Sequence, residues 1–188
     1  MRLFVALNLP DETRNALGQA LEALHDARLD VRWTAIESVH LTLLFLGEVK
    51  DERVADIESM LAGVAKRHGP FRMEMRGFAA FPNVRRARVW WVGVEPTKPL
   101  MELQHDVEEA LVPPGFEPEK REYHPHLTVA RARPRARPAP AEVADGLVRG
   151  FDFHATFPVH TMDLMRSRLH THGARYEPVA KHTLSGAA

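Results

Sequence analysis

The chain has no cysteine. Disulfides, thiolate nucleophiles and Cys-ligated zinc or iron–sulfur sites are therefore excluded. It has no charge excess either: 25 Lys and Arg balance 25 Asp and Glu. A global nucleic-acid footprint is lacking, so any such signal has to be local. No apolar run approaches the roughly 20 residues of a membrane span. The first ten residues lack the length and cleavage pattern of a signal peptide. A soluble, cytoplasmic protein without membrane contact is the expectation. Nothing suggests a coiled coil or an unburied apolar helix face, so the expected state is a monomer with no obligate protein partner. What is present is an ordinary balance of 45% apolar and 27% charged residues over 188 positions, with eleven histidines. That length suits one domain with a core of its own.

Apolar patterning sets out the elements. Residues 2–9 read as a buried strand stopped by Pro10, with Asp11 or Thr13 capping a helix over about 13–27. Residues 31–34 and 39–46 read as strands. Asp51 caps a second helix whose apolar face is Val54, Ile57, Leu61 and Val64. Residues 71–75 alternate as a strand, 77–83 read as a turn-rich connection, and 87–94 read as a strand with Trp90 and Trp91. Leu100, Leu103, Val107 and Leu111 mark a third helix. A strand over 126–130 leads into a basic, proline-rich loop over 131–140. Strands over 151–157, 161–168 and 175–180 close the chain, with a turn at Gly173. The mixture without strict strand–helix alternation is an α+β pattern with mainly antiparallel sheets.

The tripeptide His-Leu-Thr occurs at His40 and again at His126, 86 residues later. The same offset sets Phe4 against Trp90, Pro10 against Pro96, Leu17 against Leu103 and Leu21 against Val107. Residues of about 2–46 and 88–132 thus form an ungapped internal repeat. The expectation is a single bilobal domain over 1–188, with two pseudo-symmetric lobes, helices packed outside and a central cleft. On a strand, residues two apart share a face. His40 then stands beside Thr42, and His126 beside Thr128, while Leu41 and Leu127 face the core. An imidazole on an apolar strand costs desolvation unless it is hydrogen-bonded. Two imidazoles across a cleft can act as general base and general acid. Two hydroxyls beside them can donate to the oxygens of a phosphate.

These motifs resemble the 2H phosphoesterase superfamily, and their context resembles its RNA 2′,3′-cyclic phosphodiesterases, also called 2′-5′ RNA ligases. RLFVALNLP, RWTAIESVHLTLLFLGEV, RRARVWWVGV, YHPHLTVARAR and SRLHTHGARYEPVA carry the likeness over nearly the whole chain. The resemblance implies RNA ending in a 2′,3′-cyclic phosphate as substrate, tRNA fragments among the candidates. It implies hydrolysis to a 2′-phosphomonoester, with reversible ATP-independent 2′-5′ ligation in some relatives. His40 is then the proton donor and His126 the proton acceptor. Thr42, Thr128 and Arg131 would bind the phosphate. Phe45, Tyr123, Arg133 and Tyr176 are candidates for the substrate and nucleobase.

No cofactor and no metal are expected. His124 and His126 have the same-face spacing of a zinc site, but no third ligand is obvious by spacing. His170 and His172 are candidate cleft neighbours. The Arg85-Arg86-Arg88 group and Arg131, Arg133, Arg135 and Arg137 form local basic patches that could track an RNA backbone. The competing readings are a non-catalytic RNA-end or nucleotide binding module, and the same chemistry on a small cyclic nucleotide.

Overall fold

Residues 2–8 are apolar on both faces, and such a strand belongs in the middle of a sheet. The computed structural model describes residues 1–27, 29–112, 122–170 and 173–187. In it, β1 (Arg2–Asn8) has a strand on each side. It is followed by α1 (Asp11–His25), β2 (Val31–Trp33), β3 (His40–Glu48), α2 (Val54–Ala65) and β4 (Phe71–Phe81). Then come β5 (Val89–Val94), α3 (Lys98–Leu111), β6 (His126–Ala132), α4 (Ala141–Gly150), β7 (His154–Val159), β8 (Thr161–His170) and β9 (Gly173–Thr183). The strands pair antiparallel in the order β7-β4-β5-β6-β3-β1-β8-β9, with β2 added onto β6.

That order is a palindrome about the β6–β3 contact. Adding 86 to β1 gives β5, to α1 gives α3, to β3 gives β6 and to α2 gives α4, each within a residue or two. The two outer pairs are exchanged. β4 follows α2 yet pairs with β5, and β8 follows α4 yet pairs with β1. Neither half of the chain completes its own sheet, so the halves fold around each other. The two four-stranded parts meet through one residue pair, Leu41 with Leu127. Beyond that pair β3 and β6 diverge, and β2 occupies the edge of β6 at residues 130–132.

Alternation on β1 assigns the two faces. Leu3, Val5 and Leu7 enter the main core, which also takes Leu17, Ile57, Leu61, Leu100, Leu103 and Val107 from the helices. Phe4 and Ala6 point the other way and pack with Met165 and Tyr176 in a small second cluster. Helices therefore cover one face, and the opposite face is left for a cleft. Among the described residues no helix is long and apolar enough to cross a membrane.

Several local expectations differ from what is found. Helix α1 starts at Asp11 with Pro10 as its cap residue. The Asp11 carboxylate takes Arg14 at 2.6 Å instead of a backbone N–H, and the Arg14 N–H goes to the Pro10 carbonyl. Asp51 opens a short 3-10 turn before α2 and lies 3.9 Å from the N-terminal amine, with no side-chain cap. The stretch 77–83 is mostly strand: β4 continues to Phe81. A bulge at Gly77 (φ +74°) absorbs the residue that reads as a turn. Gly173 opens β9 opposite His170. The hairpin residues, His172 among them, lie outside the described residues.

Helix α4 has no counterpart in the expected elements. Ala144 is its one fully buried residue, and Gly146 and Gly150 weaken its pattern. Carrying the 86-residue offset past His126 would have revealed it as the equivalent of α2.

Gly93 of β5 sits between Arg76 of β4 and His126 of β6. A Cβ built there would lie 2.6 Å from the Arg76 carbonyl oxygen, so the backbone would have to shift. We expect Gly93→Ala to lower stability by about 1–3 kcal/mol, measured by thermal unfolding. An unchanged Tm would show that the β4–β5 ladder yields freely.

Candidate active site

The two His-Leu-Thr segments open β3 and β6, and both strands repeat one burial pattern. In each, the leucine is buried while His and Thr are half-buried on the opposite face. Among the described residues the pair Leu41–Leu127 is the only strand contact between the two motifs. It brings the four polar side chains to one wall of a cleft of about 960 Å³. Each strand then carries a bulge at the same place. Val5 and Ala6 face Leu44 and Thr42, so Leu43 is the extra residue; Trp90 and Trp91 face Ala130 and Thr128, so Val129 is. Two consecutive residues, 43 and 44 or 129 and 130, are consequently buried. The next residue, Phe45 or Arg131, returns to the cleft face beside the threonine. Phe45 and Arg131 are 86 apart, and both line the cleft.

The ring protons follow from the backbone. His40 Nδ1 lies 2.8 Å from the Ser38 carbonyl, and His126 Nδ1 lies 2.6 Å from the His124 carbonyl. A carbonyl only accepts, so each Nδ1 carries hydrogen and donates. In the neutral ring Nε2 then holds the lone pair. The Thr42 hydroxyl is 3.1 Å from His40 Nε2 and can donate to it. Ser38 and His124 are themselves repeat equivalents, so one device sets both tautomers. Phe4 stacks on His40 at 4.8 Å and Tyr176 meets its edge-on side at 5.0 Å. Phe81 stands edge-to-face on His126 at 5.1 Å, with Trp91 at 6.0 Å.

Both imidazoles are held below their ordinary pKa of about 6.5. Burial is the larger cause in each case, and the Arg131 charge pushes the same way. The carbonyl hydrogen bonds oppose it but do not win, and His124 adds a further push at His126. Arg131 is thus close enough to act on both rings.

Most sequence candidates gather here. His40, Thr42, Phe45, Tyr123, His126, Thr128, Arg131 and Tyr176 all line the cleft. Phe45 is 64% exposed, which is unusual for a large apolar side chain in a strand. Tyr123 is half-buried, and its hydroxyl donates to the Thr42 carbonyl at 2.9 Å. Burial pushes that phenol well above its ordinary range.

Arg133 is not among the cleft residues; its guanidinium lies 3.7 Å from the Asp30 carboxylate. Beyond Ala132 the chain has left the strand, so the side-chain direction no longer follows Arg131. Arg135 occupies the loop with φ +62°. The side chain of His170 and all of His172 lie outside the described residues. Among the described residues no group of three or more His, Cys, Asp or Glu could hold a metal ion.

Sequence reasoning did not single out Phe4 or Phe81 as cleft residues; Arg88, from the basic group Arg85-Arg86-Arg88, also lines the cleft. The two phenylalanines have the patterns of strand and loop residues, and pairing across strands is what brings them in. The Ser38 and His124 carbonyls had a legible signal, the offset of 86.

Residues 9–171 match the family described as the 2′-5′ RNA ligase superfamily. The RNA 2′,3′-cyclic phosphodiesterase of Methanothermobacter thermautotrophicus is 35% identical over 144 residues, 76% of this chain and 78% of that protein. The structure of TT0787 from Thermus thermophilus superposes with a TM-score of 0.83 at 29% identity, covering 100% of both chains. That of E. coli LigT in complex with 3′-AMP superposes at 0.75 with 28% identity, covering 98% of each chain.

Because the Arg131 charge bears on both rings, histidine titration by NMR should show two midpoints below about 6.5 in the free protein. Replacing Arg131 with Ala should move both upward together. Midpoints left in place by Arg131→Ala would detach that charge from the pair.

Proposed function

The chain belongs to the 2′-5′ RNA ligase superfamily, and on that premise we propose that it hydrolyses RNA 2′,3′-cyclic phosphate ends to 2′-phosphomonoesters. The work is done by His40 and His126 without a metal. The observation that carries this is the matched pair of imidazoles. Both sit on one cleft wall, both have Nδ1 tied to a backbone carbonyl, and both feel the charge of Arg131.

The chemistry follows from those positions. His126 Nε2 accepts a proton from water as the water oxygen bonds to phosphorus. The bond from phosphorus to the 3′ oxygen breaks, and the proton on His40 Nε2 passes to that oxygen. The cycle starts with one proton on the pair, held by His40. In the free protein burial and Arg131 oppose that proton. A bound phosphate anion offsets the Arg131 charge, so substrate binding favours the protonated state the acid needs.

Thr42 and Thr128 donate hydrogen bonds to the non-bridging oxygens, where charge grows in the transition state. Arg131 holds the phosphate by charge-assisted hydrogen bonds. Exposed Phe45 offers a stacking surface for the terminal base. Tyr123 acts as a positioning residue, since its hydroxyl is taken by the Thr42 carbonyl. Tyr176 packs the His40 ring in place. In 2′-5′ ligation an RNA 5′ hydroxyl takes the place of water: His126 accepts its proton as its oxygen bonds to phosphorus, and His40 protonates the departing 3′ oxygen; in the reverse cleavage the two histidines exchange roles.

The test uses a short RNA ending in a 2′,3′-cyclic phosphate, with excess EDTA. Wild type should give the 2′-phosphate, and His40→Ala and His126→Ala should each lose about 10²–10⁴-fold in kcat. Inhibition by EDTA, or full activity in either variant, would sink the mechanism. A 3′-phosphate product would reverse the acid and base.

The pH profile tests the proton count. With both free-enzyme pKa values lowered, the singly protonated pair is most populated below about pH 6.5. We expect kcat/KM to peak there and to fall as pH rises, as the His40 proton is lost. The kcat optimum, reporting the complex, should lie higher. Coincident optima would mean that bound phosphate does not tune the pair.

A further inference from the structure

In the antiparallel pair of β2 and β6, Arg32 lies directly opposite Arg131. Directly opposite residues share a face and stand about 5 Å apart at Cβ, where like charges are destabilising. The face is the one that carries the cleft. Thr34, two residues past Arg32, lines the cleft, and Arg131 lines it too. The flanking Val31 is buried on the other side, while Arg32 is exposed. Among the described residues neither guanidinium is in an ion pair, and Asp30, two residues before Arg32, is engaged with Arg133. Two arginines thus face each other on a sheet surface without a carboxylate between them.

The two differ in their distance from the reacting centre. The Arg131 charge lowers both histidines; Arg32 is not among the charges that shift either one. Arg32 is exposed on β2, one strand out from β6, and is not among the residues that line the cleft. An RNA chain ending at the histidines leaves the cleft on its 5′ side carrying a phosphate at each nucleotide.

We propose that Arg32 binds the phosphodiester immediately 5′ of the terminal nucleotide. The Arg32–Arg131 pair then holds two successive phosphates and makes the cleft prefer an RNA end over a free cyclic nucleotide. This rests on the reading of the site as a cyclic phosphodiesterase. It adds that β2, a three-residue strand, is where oligonucleotide length is sensed. The like-charge repulsion in the free protein is relieved when the second phosphate binds.

The experiment compares a 2′,3′-cyclic mononucleotide with a dinucleotide ending in the same cyclic phosphate. Wild type should prefer the dinucleotide. Arg32→Ala should lower kcat/KM on the dinucleotide about tenfold or more. On the mononucleotide it should change kcat/KM by less than about twofold, because no phosphate there reaches residue 32. The slope of log affinity against log salt for the dinucleotide should shrink by about 0.7. Arg32→Lys should keep most of the preference, because it keeps the charge. The Tm of Arg32→Ala should not fall, since a repulsive pair is removed.

Equal losses on both substrates, or no loss on either, would overturn the proposal. A wild type that turns over both substrates equally would also overturn it while leaving the hydrolase reading intact. A wild type that turns over neither would end the hydrolase reading. Binding of the 2′-phosphorylated dinucleotide against the 2′-phosphorylated mononucleotide would then still decide the role of Arg32 without turnover.

Discussion

One pair of side chains, Leu41 against Leu127, holds the site together. It is where the two halves of the sheet touch as strands. Both leucines are fully buried under the helices. Each contributes about 1.5–3 kcal/mol by that burial. The larger consequence is geometric. On a strand, burying the middle residue of a three-residue segment turns its neighbours to the other face. Pinning the two leucines together therefore sets His40, Thr42, His126 and Thr128 on one wall, and the Tyr123 hydroxyl on the Thr42 carbonyl adds a polar tie between the two segments. The exchange of β4 and β8 between the halves makes this contact hard to lose. Separating the halves would also strip the outer strands from both sheets.

Much of this was legible in the sequence because it repeats. The offset of 86 marked the equivalent strands, the equivalent helices and the paired motif. Period-two alternation then assigned the faces of His40 and His126. Three features escaped. Bulges are invisible to alternation, since at Gly77 a glycine inside an apolar run reads as a turn. Helix α4 hides because Gly146 and Gly150 and a proline-rich approach blur its pattern. Ring stacking by Phe4 and Phe81 depends on cross-strand register, which no local window contains. Arg133 shows the limit of reading along a strand. It follows Arg131 by two, but the strand has ended and Asp30 takes its charge.

The titration of the histidines is set by neighbours the motif does not include. A carbonyl two residues earlier fixes each tautomer, and it also favours the protonated ring. Burial among Phe4, Tyr176, Phe81 and Trp91 disfavours it. Burial is the stronger of the two, and Arg131 adds to it. Both effects favour the neutral imidazole in the free protein, with the Nε2 lone pair of His40 within reach of the Thr42 hydroxyl. A neutral pair is a poor acid but a good receiver for an anion that brings charge compensation. The aromatic packing and the guanidinium act in one direction in the free protein. Under the proposed function a bound phosphate would offset Arg131, leaving the packing, with His124 at His126, to oppose the proton.

A strictly two-fold site could not tell the 2′ oxygen from the 3′ oxygen, because exchanging the lobes would exchange them. Among the places where the symmetry is broken, one lies on the cleft face of the two motif strands. Both strands bulge at the residue after the threonine, and both return the same later residue to the cleft. In β6 that residue is Arg131, and in β3 it is Phe45. One lobe thus presents a cation and the other an exposed aromatic ring. A cyclic phosphate at the end of a nucleotide has the matching asymmetry, an anion on one side and a base on the other. Under the proposed function, an anion by Arg131 and a base by Phe45 would orient the ring of the substrate, so that each histidine met a different oxygen. On that proposal, residues 45 and 131 contribute to the division of labour between His40 and His126, beside the different neighbours of the two rings.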